Sequence, residues 1–158
     1  MDRTIHYQIQ EEDAGIRVEQ FLKRRFYSGK NLAQLKKEDA TLLNGHICPL
    51  KQTLSCGDIL EVRIREDSGS ENIPAVAIPI SVVYEDEDIL VVNKPAGLPM
   101  HLSRDNFYFS LANAVMYYYR DSGSFVFRCT NRLDRDTSGL VVVAKHPVSA
   151  SVLGSMVK

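Results

Sequence analysis

The stretch Asn131-Arg132-Leu133-Asp134-Arg135-Asp136-Thr137-Ser138-Gly139-Leu140 concentrates more chemistry than any other part of this 158-residue chain. One carboxylate, Asp134, stands between two guanidinium groups, Arg132 and Arg135, and the charged run passes directly into the apolar stretch Leu140 to Ala144. Nearby cations favour the ionised form of a carboxylate, and a charged turn at the end of a rigid strand can present that group to a substrate. The same alternation also fits a structural ion-pair network on a capped turn, so the residue types admit both catalysis and plain surface architecture.

A second cluster lies near the other end of the chain. Arg17, Lys23, Arg24, Arg25, Lys30, Lys36 and Lys37 face only Glu19 between residues 17 and 37. Clustered Lys and Arg neutralise phosphates and give affinity for nucleic acid without sequence-specific contacts. The alternative is a solvated helical face.

Other candidates carry less. His101 has no matched Ser or Cys nucleophile in its motif, and Lys94, placed before Pro95, reads either as a phosphate contact or as an exposed cation at a strand end. Tyr117-Tyr118-Tyr119 could stack on bases, but three consecutive helical residues point in different directions, which favours packing. There is no Walker loop and no dinucleotide glycine pattern. Cys48, Cys56 and Cys129 are odd in number and lack zinc-ligand spacing, so they read as reduced thiols, with no metal site and no disulfide framework.

The elements that must position these groups follow from composition and periodicity. With 44% hydrophobic and 25% charged residues the chain has enough apolar content for a core, and no apolar run is long enough to span a bilayer. A cytoplasmic address is the expectation. The net charge of −1 averages an uneven distribution: residues 1–65 hold eleven basic and nine acidic groups (+2), and residues 66–158 hold eight and eleven (−3).

Val18, Phe21, Leu22 and Phe26 recur at helical spacing, and Leu32 and Leu35 mark a second helix after the break at Ser28-Gly29. Asn44-Gly45 between apolar flanks predicts a tight hairpin, and Leu60, Val62 and Ile64 alternate with charged residues as in a strand. Residues 66–79, polar at first and then punctuated by Pro74 and Pro79, read as a linker. Beyond it, Val82–Tyr84 and Ile89–Val92 flank the acidic turn Glu85-Asp86-Glu87-Asp88, which reads as a solvated loop tip in a hairpin. Leu111 to Tyr119 predicts a helix, Gly139 to Ala144 a buried strand, and Pro147 a helix start.

The segment Val83-Tyr84-Glu85-Asp86-Glu87-Asp88-Ile89-Leu90-Val91-Val92-Asn93-Lys94-Pro95-Ala96-Gly97-Leu98-Pro99, followed by the Asn131–Leu140 motif in the same order and spacing, resembles the RluA-type family of RNA pseudouridine synthases. The basic N-terminal block resembles the small alpha-L RNA-binding domain, of the ribosomal protein S-four type, that often precedes the catalytic domain in that family. The resemblance implies an α+β fold: a small helical and β RNA-binding domain over residues 1–65, a linker over 66–79, and, over 80–158, the first part of a mixed, mainly antiparallel catalytic sheet. It implies isomerisation of uridine to pseudouridine in ribosomal or transfer RNA, with no metal and no cofactor, by a monomer.

Asp134 matches the family's essential aspartate, and Arg132 matches the arginine that holds the flipped-out conformation. Arg17, Lys23, Arg24, Lys30, Lys36 and Lys37 become the expected RNA contacts. Two positions depart from the common pattern, with Asn131 where many members have His and Leu102 where Pro is usual. The family's active-site tyrosine and a further basic residue fall downstream of the aspartate motif, so a truncated catalytic domain is expected. A non-catalytic RNA-binding module is the alternative that this leaves.

Overall fold

A computed structural model describes residues 1–157. Two antiparallel sheets organise it. The first runs β1-β4-β2-β3, from β1 (Arg3–Gln8), β2 (Thr41–Leu43), β3 (His46–Ile47) and β4 (Ile59–Ile64). Helices α1 (Val18–Arg24) and α2 (Gly29–Lys37) pack on it through Val18, Phe21, Leu22, Leu32 and Leu35, all buried against Leu60 and Val62. Ser28 starts α2 as a capping box: its hydroxyl accepts from Asn31 N at 3.1 Å while its own N–H donates to Asn31 Oδ1 at 2.9 Å. Asn44 and Gly45 take φ of 51° and 85°, the conformation a two-residue hairpin needs, and join β2 to β3.

The second sheet runs β5-β6-β7, from β5 (Ser81–Glu85), β6 (Ile89–Lys94) and β7 (Gly139–Ala144), with α3 (Leu111–Tyr118) on one face. Leu90 and Val92 of β6 and Val141 and Val143 of β7 bury that face against Leu111, Val115, Phe125 and Phe127. Residues 128–131 extend the sheet irregularly along the free edge of β7. Thr130 N donates to Val142 O at 2.9 Å, and Ala144 N to Arg128 O at 2.8 Å.

Two features differ from the sequence reading. Strand β1 carries Arg3 on the same face as Ile5 and Tyr7, a charged member that hides its alternation. Residues 66–79 have no regular structure, yet they are not a free tether. Ser70 N donates to Phe125 O at 2.9 Å, Phe127 N to Ser70 Oγ at 3.0 Å, and the buried Glu66 carboxylate pairs with both the N-terminal ammonium and Arg128. Helix α4 (Pro147–Met156) follows β7 and turns back to place Val148 in the core of the first sheet. No helix among the described residues is long and apolar enough to cross a membrane.

Candidate active site

The Asn131–Leu140 motif is a loop that leaves the sheet edge and returns as β7, and three sets of bonds hold it. At its base the Asn131 side chain substitutes for backbone, with Nδ2 donating to Leu140 O and Oδ1 accepting from Val142 N, both at 2.9 Å. At its tip Asp134 O accepts from Thr137 N at 3.1 Å, closing a β-turn over Arg135 and Asp136. On its flank Arg135 O accepts from Gly97 N at 2.8 Å and from Lys94 Nζ at 2.9 Å.

Leu133 turns inward to pack on the second core, and the residues on either side of it, Arg132 and Asp134, are exposed. Glycine at 139 suits both the backbone and the close approach of Leu133 here. Its φ is 151°, and a Cβ there would stand 3.3 Å from Leu133 Cδ1.

Lys94 corrects the sequence reading most sharply. It is neither an exposed cation nor placed to meet a phosphate, because its residue is fully buried and its ammonium is spent on three carbonyls: Pro95 at 3.0 Å, Leu98 at 2.8 Å and Arg135 at 2.9 Å. Burial lowers its pKa, and the charges of Asp136 and Asp134 oppose that shift.

The carboxylate itself is more open than its sequence neighbours imply. Asp134 is exposed and, among the described residues, forms no ion pair; Arg135 lies 4.0 Å from Asp136 instead. Adjacent residues of a turn point to different sides, so the flanking arginines do not clasp the carboxylate.

His101 is not isolated. Its Nε2 lies 3.4 Å from Cys129 Sγ, and its ring packs edge-on against Phe127 at 5.5 Å. Burial, and then the charge of Arg132, lowers the His101 pKa, while burial raises that of the Cys129 thiol, so both are neutral near pH 7. Cys129 bridges Val143 near the end of β7, so the His101–Cys129 contact lies along the sheet from the Asp134 turn, with the charge of Arg132 reaching His101.

The acidic turn read as a loop tip is an ion-pair hub. Asp88 accepts from Arg3 Nε at 2.9 Å and from His146 Nε2 at 2.8 Å; Glu85 accepts from Tyr118, Tyr119 and Lys145 at 2.7, 2.6 and 2.9 Å. Tyr119 is buried and Arg120 lies 4.1 Å over the Tyr117 ring, so these tyrosines serve packing and anchoring. Sequence reasoning missed this hub because the partners lie up to 85 residues away.

The basic residues sit on the two helices of the first sheet. Arg17 is the N-cap of α1 and lies 3.9 Å from Glu19; Lys23 and Arg24 occupy its last turn, where Arg24 approaches Asp13 at 3.5 Å. Lys30 begins α2 and Lys36 and Lys37 end it. Lys23, Lys30, Lys36 and Lys37 are exposed and form no ion pair among the described residues. Arg25, by contrast, is spent internally, 3.2 Å from Asp13 and stacked 3.6 Å from the Phe21 ring centroid. A groove of about 650 Å³ lies between α2, residues 63–68 and the start of α4, and none of its lining belongs to the Asp134 loop.

Comparison with known proteins places residues 88–158 in a match to the RNA pseudouridylate synthase family. An uncharacterized RNA pseudouridine synthase of Bacillus subtilis, YjbO, is 38% identical over 117 residues, which is 73% of this chain and 41% of that protein. The ribosomal large subunit pseudouridine synthase D of Haemophilus influenzae is 35% identical over 147 residues, 90% of this chain and 45% of its own length. Its counterpart in Escherichia coli K12 is 34% identical over 144 residues, 87% and 43% respectively. The chain spans less than half the length of these curated relatives.

Proposed function

We propose, from the match of residues 88–158 to the RNA pseudouridylate synthase family, that the protein isomerises uridine to pseudouridine in structured RNA, with Asp134 as the catalytic carboxylate. The observation that carries the reading is the loop that leads into β7. A buried lysine, an asparagine side chain and a glycine lock its backbone, while Asp134 is left exposed at its tip. Fixing a reactive group on a rigid element lowers the entropic cost of reaching the transition state.

In the proposed reaction the N1–C1′ glycosidic bond breaks and its electron pair leaves with the uracil. Asp134 assists either by bonding to C1′ or by taking a sugar proton. The detached base rotates, C5 bonds to C1′, the proton on C5 is lost, and N1 ends protonated, so the sum is an isomerisation. The uridine must leave its stack to reach the carboxylate, at a cost of a few kcal/mol. Arg132, exposed beside Asp134, is assigned to hold the flipped-out conformation.

Residues 1–65 are assigned RNA binding through Arg17, Lys23, Arg24, Lys30, Lys36 and Lys37, residues 66–79 connect, and residues 80–158 are assigned to the catalytic domain. Ribosomal RNA is the favoured substrate class, because relatives carry that substrate in their names. A cytoplasmic address and a monomeric state complete the proposal. The test is release of tritium from C5-labelled uridine in RNA by the protein at its full natural length. Release supports the reading, and RNA binding without release favours a non-catalytic binding module.

A further inference from the structure

Phe107, Tyr108 and Phe109 are consecutive and are 41%, 65% and 48% exposed, the densest run of uncovered aromatic surface among the described residues. They lie on the excursion that leaves the sheet after Lys94 and enters α3 at Leu111. The backbone of that excursion is pinned. Leu111 N donates to Pro99 O at 2.7 Å and Ala112 N to Met100 O at 3.1 Å, closing its base. Ser103 and Asn106 exchange backbone bonds at 3.3 and 3.2 Å, and the buried Asn113 side chain donates to Phe107 O at 3.1 Å.

The rings are therefore presented by a fixed backbone. Phe107 and Tyr108 meet edge to face, with centroids 5.0 Å apart, an arrangement that leaves ring faces uncovered. The loop is also tied to the Asp134 turn through the residues that precede it, because Gly97 N and Lys94 Nζ both bond to the carbonyl of Arg135, next to Asp134. Arg104, next to Asp105 on the loop, and Arg132, whose charge reaches His101, are the cations available to a phosphate backbone.

We propose that Phe107, Tyr108 and Phe109 form a stacking platform for unpaired RNA bases flanking the uridine that Asp134 modifies. Exposed aromatic faces hold bases without sequence preference, and cations next to them hold the connecting phosphates. A base extruded from its stack leaves neighbours that have lost a partner, and aromatic rings fixed near the carboxylate replace it. This rests on the reading that the protein acts on RNA, and it assigns to this loop the stacking role that Tyr117–Tyr119 do not perform.

The experiment uses the full-length protein, a uridine-containing RNA loop and its fully paired counterpart. Tyr108→Ala and Phe109→Ala should each weaken binding to the loop RNA by about fivefold to a hundredfold, with little change for the duplex. The slope of log affinity against log salt should stay at its wild-type value, because stacking releases no counterions. Tyr108→Trp should retain affinity, and its indole fluorescence should be quenched when the loop RNA binds.

Alanine variants that bind the loop RNA as the wild type does would overturn the platform. So would an indole that is shielded from a soluble quencher before RNA is added, which would mean that protein covers the loop. In either case a wild type that still binds and isomerises the RNA leaves the assignment of Asp134 standing, whereas a wild type that does neither removes that assignment as well.

Discussion

Lys94 Nζ donates a 2.9 Å hydrogen bond to the carbonyl of Arg135, the residue immediately after Asp134, across 41 positions of sequence. The buried ammonium also holds the carbonyls of Pro95 and Leu98, so one side chain ties the end of β6 to the tip of the loop that starts β7. Lys94→Met keeps the volume of the side chain and removes the ammonium donor from the carbonyls of Pro95, Leu98 and Arg135, the last of which keeps its bond from Gly97 N. The expected loss of stability is about 1–3 kcal/mol. Because Asp134 shifts with its neighbour, turnover should fall on the order of a hundredfold while RNA affinity holds. Denaturant unfolding and single-turnover kinetics check both; unchanged turnover would mean that the ammonium cage does not position the carboxylate.

Gly139→Ala tests the same loop from the other end. A Cβ at φ 151° is strained and meets Leu133 Cδ1 at 3.3 Å, so the Leu133 side chain must give by a few tenths of an ångström under the Asp134 turn. The substitution should cost about 1 kcal/mol or more in unfolding free energy and lower turnover without altering RNA affinity.

The Asp88–His146 pair sets a pH dependence. His146 Nδ1 accepts from Ser149 N at 3.1 Å as the cap of α4, so the ring is neutral, with its proton on Nε2 directed at Asp88. Burial lowers the His146 pKa, against the opposing pull of Asp88. The unfolded chain therefore takes up the proton first as pH falls. The contribution is full above the ordinary histidine value of about 6.5 and is lost as pH drops from there through the lowered folded value.

Urea midpoints should fall between pH 7.5 and pH 5.5, and His146→Asn, which can still cap the helix, should shrink that fall. His101, whose pKa is also lowered, leaves a residual dependence. Equal falls in both proteins would assign the acid sensitivity elsewhere.

The exposed lysines of the first sheet predict a salt effect. Lys36→Ala and Lys37→Ala should each weaken RNA binding and reduce the slope of log affinity against log salt by roughly 0.7 to 0.9. Arg25→Ala should act through stability instead, because Arg25 is spent on Asp13 and the Phe21 ring. A slope unchanged in the lysine variants would remove α2 from the RNA interface.

What was legible in the sequence divides along the range of the interactions. Helices α1 and α2, the Asn44-Gly45 hairpin and the start of α4 at Pro147 are written in local spacing and turn chemistry, but α1 stops at Arg24, and Phe26, read as part of its apolar stripe, lies beyond it with φ 64° and its side chain exposed. Lys94 was opaque, since nothing in its neighbours says that three carbonyls will enclose an ammonium. The acidic turn looked solvated because its partners, the cations Arg3 and Lys145 and the imidazole of His146, come from distant elements. Asp134 shows the converse error: Arg132 and Arg135 are near it in sequence, but the turn sends their side chains elsewhere. Adjacency in sequence is a poor guide to charge pairing in a turn and a good one to the periodicity of an element.

The most direct test of the central claim is tritium release from C5-labelled uridine RNA by Asp134→Asn, measured beside its RNA affinity in the full-length protein. The substitution keeps the shape of an exposed side chain that forms no ion pair among the described residues, so folding and RNA binding should be unchanged while release falls to background. Release at the wild-type rate by Asp134→Asn would show that the chemistry belongs to another residue.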